Sequence, residues 1–130
     1  MKRRKARENA FVVIFESFFS DYTPQALINS AENIQNIELG IYSKELICGV
    51  LEHRAELDKK IASFLRNWEL NRISNILISI LEIAFYEIIY VNDVDFPVSI
   101  NEAVELAKKY FGDEGPSFVN GVLGNFIKSM

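Results

Sequence analysis

Cysteine, histidine and proline are scarce in this 130-residue chain, which contains one, one and three of them respectively. Because Cys48 is alone, it cannot form an internal disulfide, and this is typical of a protein of a reducing compartment. A single histidine, His53, excludes multi-histidine metal sites, and no cysteine pair with ligand spacing accompanies it. The G-x-S-x-G elbow of serine hydrolases and the G-x-x-x-x-G-K-[ST] phosphate loop are also absent. We therefore expect a protein that is not an enzyme and that needs no metal or cofactor.

Long hydrophobic runs are missing as well. The most apolar stretch, residues 76–91, contains Glu82 and Glu87 and is shorter than the ~20 apolar residues that span a bilayer. The chain begins with charged residues and shows no apolar signal-peptide region. These features predict a cytoplasmic protein that does not use a membrane as a partner.

The composition is that of a globular domain, with 49% hydrophobic and 25% charged residues. A chain of this length should bury roughly two-thirds of its unfolded-state surface, which one core can do, so we expect a single domain over residues 1–130. Apolar residues recur at helical spacing, whereas no segment alternates convincingly as a strand would. The widest apolar stripe, over residues 73–88, predicts a helix at the centre of the fold. The sequence thus predicts an all-α protein of about seven helices.

Helix starts are marked by residues that can accept hydrogen bonds from free backbone N–H groups. Thr23 followed by Pro24 reads as an N-cap and a first helical position. Ser43 is expected to cap a third helix, with a fourth following after little linker. Ser99 and Glu102 have the spacing of a capping box, in which each side chain accepts from the other residue's N–H. These residues therefore mark where three of the predicted helices begin.

Charge is distributed unevenly along the chain, whose net charge is −4. Five of the 14 basic residues precede the first acidic residue and form what we call the basic tip: Lys2, Arg3, Arg4, Lys5 and Arg7. The remaining chain has nine basic and 18 acidic residues. On a helix Arg7 shares a face with Arg3 and Arg4, so their guanidinium groups could contact successive phosphates of a nucleic acid. A solvated tail is the alternative interpretation.

Phe118 is the candidate aromatic residue. It lies early in the last predicted helix, beside the turn at Gly115 and Pro116, where an exposed ring could stack on an unpaired base. A core position is the alternative for this ring. The residues alone therefore indicate a helical domain that either binds RNA or acts as a protein–protein adaptor.

Three motifs resemble those of the NusB family. The string RRKARENA at residues 3–10 is similar to the family's arginine-rich opening. PVSINEAVELAKKYF at residues 97–111 is similar to its I-N-E-A and E-L-A-K helix, and SFVNGVLG at residues 117–124 is similar to its F-V-N-G-V-L signature. Order and spacing match too, and the clear resemblance covers residues 3–15 and 81–124.

This resemblance implies seven helices in two helical subdomains, and it implies a function. Members of the family bind the boxA element of nascent transcripts, notably of ribosomal RNA operons, as single-stranded RNA. They do so together with a small-subunit ribosomal protein, NusE, in a complex of Nus factors on RNA polymerase that suppresses termination. By this resemblance Arg3, Arg4 and Arg7 match RNA-binding arginines, and Phe118 is the RNA-contacting aromatic. An adaptor without specific RNA binding remains the alternative.

The central helix resembles the partner-binding helix of the family, which makes Leu77, Glu82 and Tyr86 candidate partner contacts. Relatives commonly carry an arginine where this chain has Glu82, so the charge on that helix is reversed. We expect this reversal to alter partner binding. An exposed apolar face on the same helix could also bury itself in a homodimer that competes with RNA or partner.

Overall fold

The computed structural model describes residues 2–65 and 69–130. In these residues it contains no strand and six α-helices: α1 (Arg3–Glu16), α2 (Pro24–Asn33), α3 (Ile41–Ala62), α4 (Asn75–Tyr90), α5 (Phe96–Tyr110) and α6 (Gly115–Lys128). Two short 3₁₀ helices, Ser17–Phe19 and Leu70–Arg72, follow α1 and precede α4. The all-α prediction is confirmed. The count is six and not seven because no proline or cap separates the two segments predicted around His53, which continue as α3.

The chain divides into two compact units, Met1–His53 and Arg54–Met130, with the division inside α3. The two helical subdomains implied by the family resemblance therefore have a counterpart in these units. That the whole chain forms a single domain stays a prediction.

The first unit is built on the apolar stripe of α1. Ala10, Phe11 and Ile14 are buried there, as their spacing predicts, together with Leu27 of α2 and Leu46 of α3. The start of α2 is also as predicted, because the Ala26 N–H donates to Thr23 Oγ1 at 3.1 Å and Pro24 occupies the first helical position. On the outer surface of this unit α3 carries the single cysteine, whose side chain is exposed.

The second unit is centred on α4, which is buried over residues 77–85 and therefore lies at the centre as predicted. Phe85 of α4 stacks on Phe126 of α6 with ring centroids 4.2 Å apart, and Phe64 lies against both rings. Offset stacking adds about 0.5–1.5 kcal/mol to the free energy gained by burying such rings. No helix of the described residues is long and apolar enough to cross a membrane.

The capping box predicted at Ser99 and Glu102 is wrong. Helix α5 begins earlier, at Phe96, because a proline is tolerated in the first turn, where its missing N–H has no intrahelical partner. Ser99 consequently lies inside the helix, and its buried hydroxyl donates to Glu87 Oε1 at 3.1 Å. A side chain taken for a local cap thus forms a tertiary hydrogen bond between α5 and α4.

The helix cap predicted at Ser43, in the first unit, is wrong for the same reason. Helix α3 begins at Ile41, so Ser43 is internal and fully buried, and its hydroxyl donates to the Ala6 carbonyl oxygen at 2.8 Å. This hydrogen bond joins the start of α3 to the start of α1. It therefore fixes the backbone from which the basic tip projects.

Two glycines form the corner between α5 and α6. Gly112 has a φ of 114°, a left-handed conformation that closes α5 and that residues with a Cβ rarely adopt. At Gly115 an added Cβ would lie 3.2 Å from the Ala107 carbonyl oxygen and from the Cβ atoms of Ala107 and Phe111. The missing side chain thus lets α6 begin close against α5, with Phe118 in its first turn.

Candidate RNA interface

The first turn of α1 carries a dense group of exposed cations. Lys2, Arg3, Arg4 and Lys5 are all exposed, and the first turn contains no acidic residue. Lys5 pairs with Glu8 at 3.3 Å, but its side chain is 63% exposed, so this contact contributes little. The positive end of the helix dipole adds to these charges. An anion at this turn would be attracted both by the cations and by the end of the helix.

Arg7 differs from the other four residues of the basic tip. It is only 4% exposed, because it precedes Ala10 and Ile14 on the buried stripe of α1 by three and seven positions. Its guanidinium carbon lies 5.8 Å from the centroid of the Tyr42 ring. Arg3 and Arg7 therefore share a face against Tyr42, as their spacing predicts, but Arg7 is buried whereas Arg3 is exposed. Its role in RNA binding stays a prediction.

Tyr42, in the first turn of α3, was missed by the sequence analysis. The guanidinium carbon of Arg3 lies 4.3 Å from the centroid of this half-buried ring, which is cation–π geometry. Such a contact limits the directions that Arg3 can take and holds its charge near the surface. Nothing in the spacing of the sequence links residues 39 positions apart, so only the fold brings them together.

Phe118 belongs to the second unit and lies in the first turn of α6. It is half-buried, whereas the next residue, Val119, is fully buried and the two after it, Asn120 and Gly121, are exposed. Phe118 is therefore at the border of the core. The residue is partly accessible to solvent, which stacking on a base requires.

The three candidate partner contacts on α4 differ in exposure. Leu77 is 5% exposed and Glu82 is fully buried, whereas Tyr86 is half-buried. The Tyr86 ring lies 5.1 Å from that of Tyr90, which is exposed and donates its hydroxyl to Glu56 Oε1 at 2.7 Å. Of the predicted contacts, only Tyr86 offers surface to a partner. Residues 77–85 of α4 are buried, so they do not supply the exposed apolar face that a homodimer could use.

The reversed charge on α4 has a partner within the protein. Arg54 of α3 donates to Glu82 through Nε at 2.9 Å to Oε2 and through a terminal nitrogen at 3.1 Å to Oε1. This two-pronged geometry is the strongest form of carboxylate–guanidinium pairing. The Glu82 charge is therefore compensated inside the second unit and does not face a binding partner.

A second carboxyl group adjoins this ion pair. Burial and a hydrogen bond with the Asp58 carboxyl raise the pKa of Glu82 well above its ordinary value, and Arg54 opposes the shift. Asp58 Oδ1 is itself buried and has no hydrogen-bond partner among the residues that the structure describes. Among all the residues that the structure describes, no three His, Cys, Asp or Glu side chains are arranged to hold a metal ion.

Comparison with known proteins places the chain in a family. The model of the NusB family matches residues 4–128. Transcription antitermination protein NusB of Clostridium novyi (strain NT) is 42% identical over 134 residues, which cover 99% of this chain and 100% of that protein. The protein of the same description from Bacillus subtilis (strain 168) is 43% identical over 129 residues, covering 99% of this chain and 96% of that one.

Solved structures agree with this assignment. A crystal structure described as antitermination factors NusB and NusE in complex with double-stranded RNA is similar with a TM-score of 0.87. Its sequence identity is 26%, and the match covers 98% of this chain and 97% of the solved one. From the family match over nearly the whole chain, and from relatives above 40% identity, it follows that the chain belongs to the NusB family.

Proposed function

We propose that this protein is a transcription antitermination factor. It binds boxA-type single-stranded RNA in nascent ribosomal transcripts together with the ribosomal protein NusE, within a complex of Nus factors on RNA polymerase. The observation that carries the proposal is the group of four exposed cations at the start of α1 in an otherwise acidic chain. We further propose that it acts in the cytoplasm as a binding protein without catalytic activity.

Phosphate binding by the basic tip follows from simple electrostatics. Lys2, Arg3, Arg4 and Lys5 are exposed within about one helical turn, so they surround the start of α1 with positive charge that attracts the RNA backbone. The net negative charge of the remaining chain repels RNA from other surfaces and favours binding at this end. The tip thus gives affinity and orientation, while base contacts are needed for sequence preference.

NusE is the partner that the proposal requires, since a similar solved structure contains NusB with NusE and RNA. Leu77 and Glu82 are buried, so we assign the partner contact on α4 to its C-terminal end, where Tyr86 and Tyr90 lie together. Large, rigid aromatic side chains of this kind are enriched at the centre of protein interfaces.

The test is binding of labelled RNA by fluorescence anisotropy, with and without NusE, at several salt concentrations. The RNAs are a boxA-like single strand, a scrambled strand of equal length and a duplex, because the RNA in the similar solved complex is double-stranded. With four phosphate contacts, log affinity should fall against log salt with a slope of about −2.8. Preference for the boxA-like strand, increased by NusE, is expected.

A slope near zero would remove the electrostatic part of the proposal. NusE binding without preference for any RNA would instead support a protein–protein adaptor. Tighter binding of the duplex than of either single strand would contradict the assignment of single-stranded RNA.

Replacing Phe118 by alanine should weaken binding of the boxA-like strand by about 1–3 kcal/mol, as expected for loss of one base-stacking ring. The slope against salt should not change, because no phosphate contact is lost. Tyr22→Ala is the matched control, since Tyr22 is an aromatic residue with 61% exposure in the first unit. Equal effects of the two substitutions, or no effect of Phe118→Ala, would show that Phe118 does not stack on the RNA.

A further inference from the structure

A cleft lined by both polar and apolar groups lies beside the basic tip in the first unit. Its volume is about 480 Å³, and it is lined by Lys5, Asn9, Asn36, Ile37 and Glu38. Lys5 belongs to both the cleft and the tip, so RNA held at the tip runs past the cleft. Clefts of roughly 300–1,000 Å³ are the size that small ligands occupy in proteins.

The cleft is held open by hydrogen bonds within the unit. Asn9 of α1 is buried, and its Nδ2 donates to the Glu38 carbonyl oxygen at 2.9 Å. The backbone N–H of Ile37 donates to the Ala31 carbonyl oxygen at 2.8 Å, which ties the other wall to α2. Asn36, which immediately precedes these two anchored residues, adopts a φ of 56°. The lining side chains are therefore presented from a fixed backbone, which lowers the entropic cost of binding a ligand.

The side chains of the cleft select against a phosphate and in favour of a base. The Glu38 carboxylate repels phosphate, but it can accept hydrogen bonds from an exocyclic amino group. Asn36 is exposed and offers both a donor and an acceptor, the pair that asparagine uses to recognise base edges. Ile37 contributes apolar surface to the same cleft, which suits the flat face of a base.

We propose that this cleft receives one unpaired base of the bound RNA, and that it selects a base with an exocyclic amino group over uracil. This proposal rests on the function proposed above. It assigns base recognition to Asn36 and Glu38 of the cleft. The basic tip beside them binds phosphates and cannot by itself distinguish one base from another. Unpaired bases are recognised in this way on their exposed edges in single-stranded RNA.

The sign of the Glu38→Ala effect tests the proposal. Removing a negative charge beside the RNA backbone would strengthen a complex held only by phosphate contacts. If Glu38 accepts from a base, binding of the boxA-like strand should instead weaken, roughly 5- to 150-fold for loss of one good base contact. Asn36→Gly should weaken it similarly, because glycine retains the left-handed backbone while removing the amide. Glu105→Ala and Asn101→Ala remove side chains from exposed positions of α5 and serve as controls.

The base is located by a series of boxA-like strands in which each base in turn is removed, leaving the phosphate and sugar. At one position, removing the base should weaken binding to the native protein. For that strand Glu38→Ala should weaken binding little further, because the contact between Glu38 and the base is already lost. Uracil at that position should have the same effect as the missing base. The cleft proposal is overturned if Glu38→Ala strengthens binding and if its effect is the same for every strand of the series. The proposed function stands in that case, provided that the native protein binds RNA with the expected salt slope. Failure of the native protein to bind any RNA overturns the function itself.

Discussion

Alanine substitution of Lys2, Arg3, Arg4 and Lys5 together is expected to weaken binding of a boxA-like strand by roughly 600-fold at about 0.1 M salt. Each of these exposed cations displaces counterions from the RNA when it pairs with a phosphate. The four contributions therefore add in log affinity, and the slope against log salt should fall from about −2.8 to near zero. Anisotropy titrations at four or five salt concentrations measure both quantities.

The matched control changes four exposed lysines of the second unit to alanine: Lys59, Lys60, Lys108 and Lys109. Both quadruple variants have a net charge of −8, from −4 in the native chain. A large loss of affinity with an unchanged slope in the tip variant would mean that the tip does not contact phosphates. Equal losses in the two variants would mean that only the total charge matters.

Replacing Arg54 by alanine should lower the free energy of unfolding by about 3–5 kcal/mol, the usual cost of removing one partner from a buried ion pair. The substitution removes the cation that pairs with the Glu82 carboxyl, which stays fully buried next to Asp58. Urea unfolding followed by circular dichroism measures the change. Arg72→Ala is the control, because Arg72 and Glu69 lie 3.9 Å apart with side chains 74% exposed, and such pairs contribute about 0–1 kcal/mol.

The same cluster should make stability depend on pH. Since the folded pKa of Glu82 is raised, the folded state binds this proton more tightly than the unfolded state does. The associated stabilisation is complete below the unfolded pKa of about 4.3 and is lost as the pH rises through the folded value. Glu82→Gln should flatten this decline between the two pKa values. An unchanged slope of stability against pH in that variant would exclude Glu82 as its source.

Helices and core positions were predictable because they depend on short-range periodicity. The stripe of α1, the burial of α4 and the cap at Thr23 all follow from residues within one or two turns of each other. Ser43 and Ser99 were misassigned because a serine near a helix start has the same local sequence whether it caps the helix or lies inside it. The distant acceptors, Ala6 and Glu87, decide between the two outcomes.

The candidate site was predictable to the same extent. The cationic composition of the tip is visible in the sequence, and a helical projection that compares Arg7 with Ala10 and Ile14 would have shown its burial as well. The stacking of Arg3 on Tyr42 and the cleft formed with Asn36 could not be predicted, because they join segments about 30 to 40 residues apart. Such contacts arise only when α2 and the start of α3 pack on α1.

The exposed thiol on α3 has a practical consequence. Cys48 is the only cysteine of the chain, so a maleimide dye will couple at one known position without any engineered mutation. Native protein and all the variants described above retain that position, and their fluorescence signals can therefore be compared directly. The same exposure allows two chains to be joined by oxidation, so storage under a reducing agent keeps a preparation uniform.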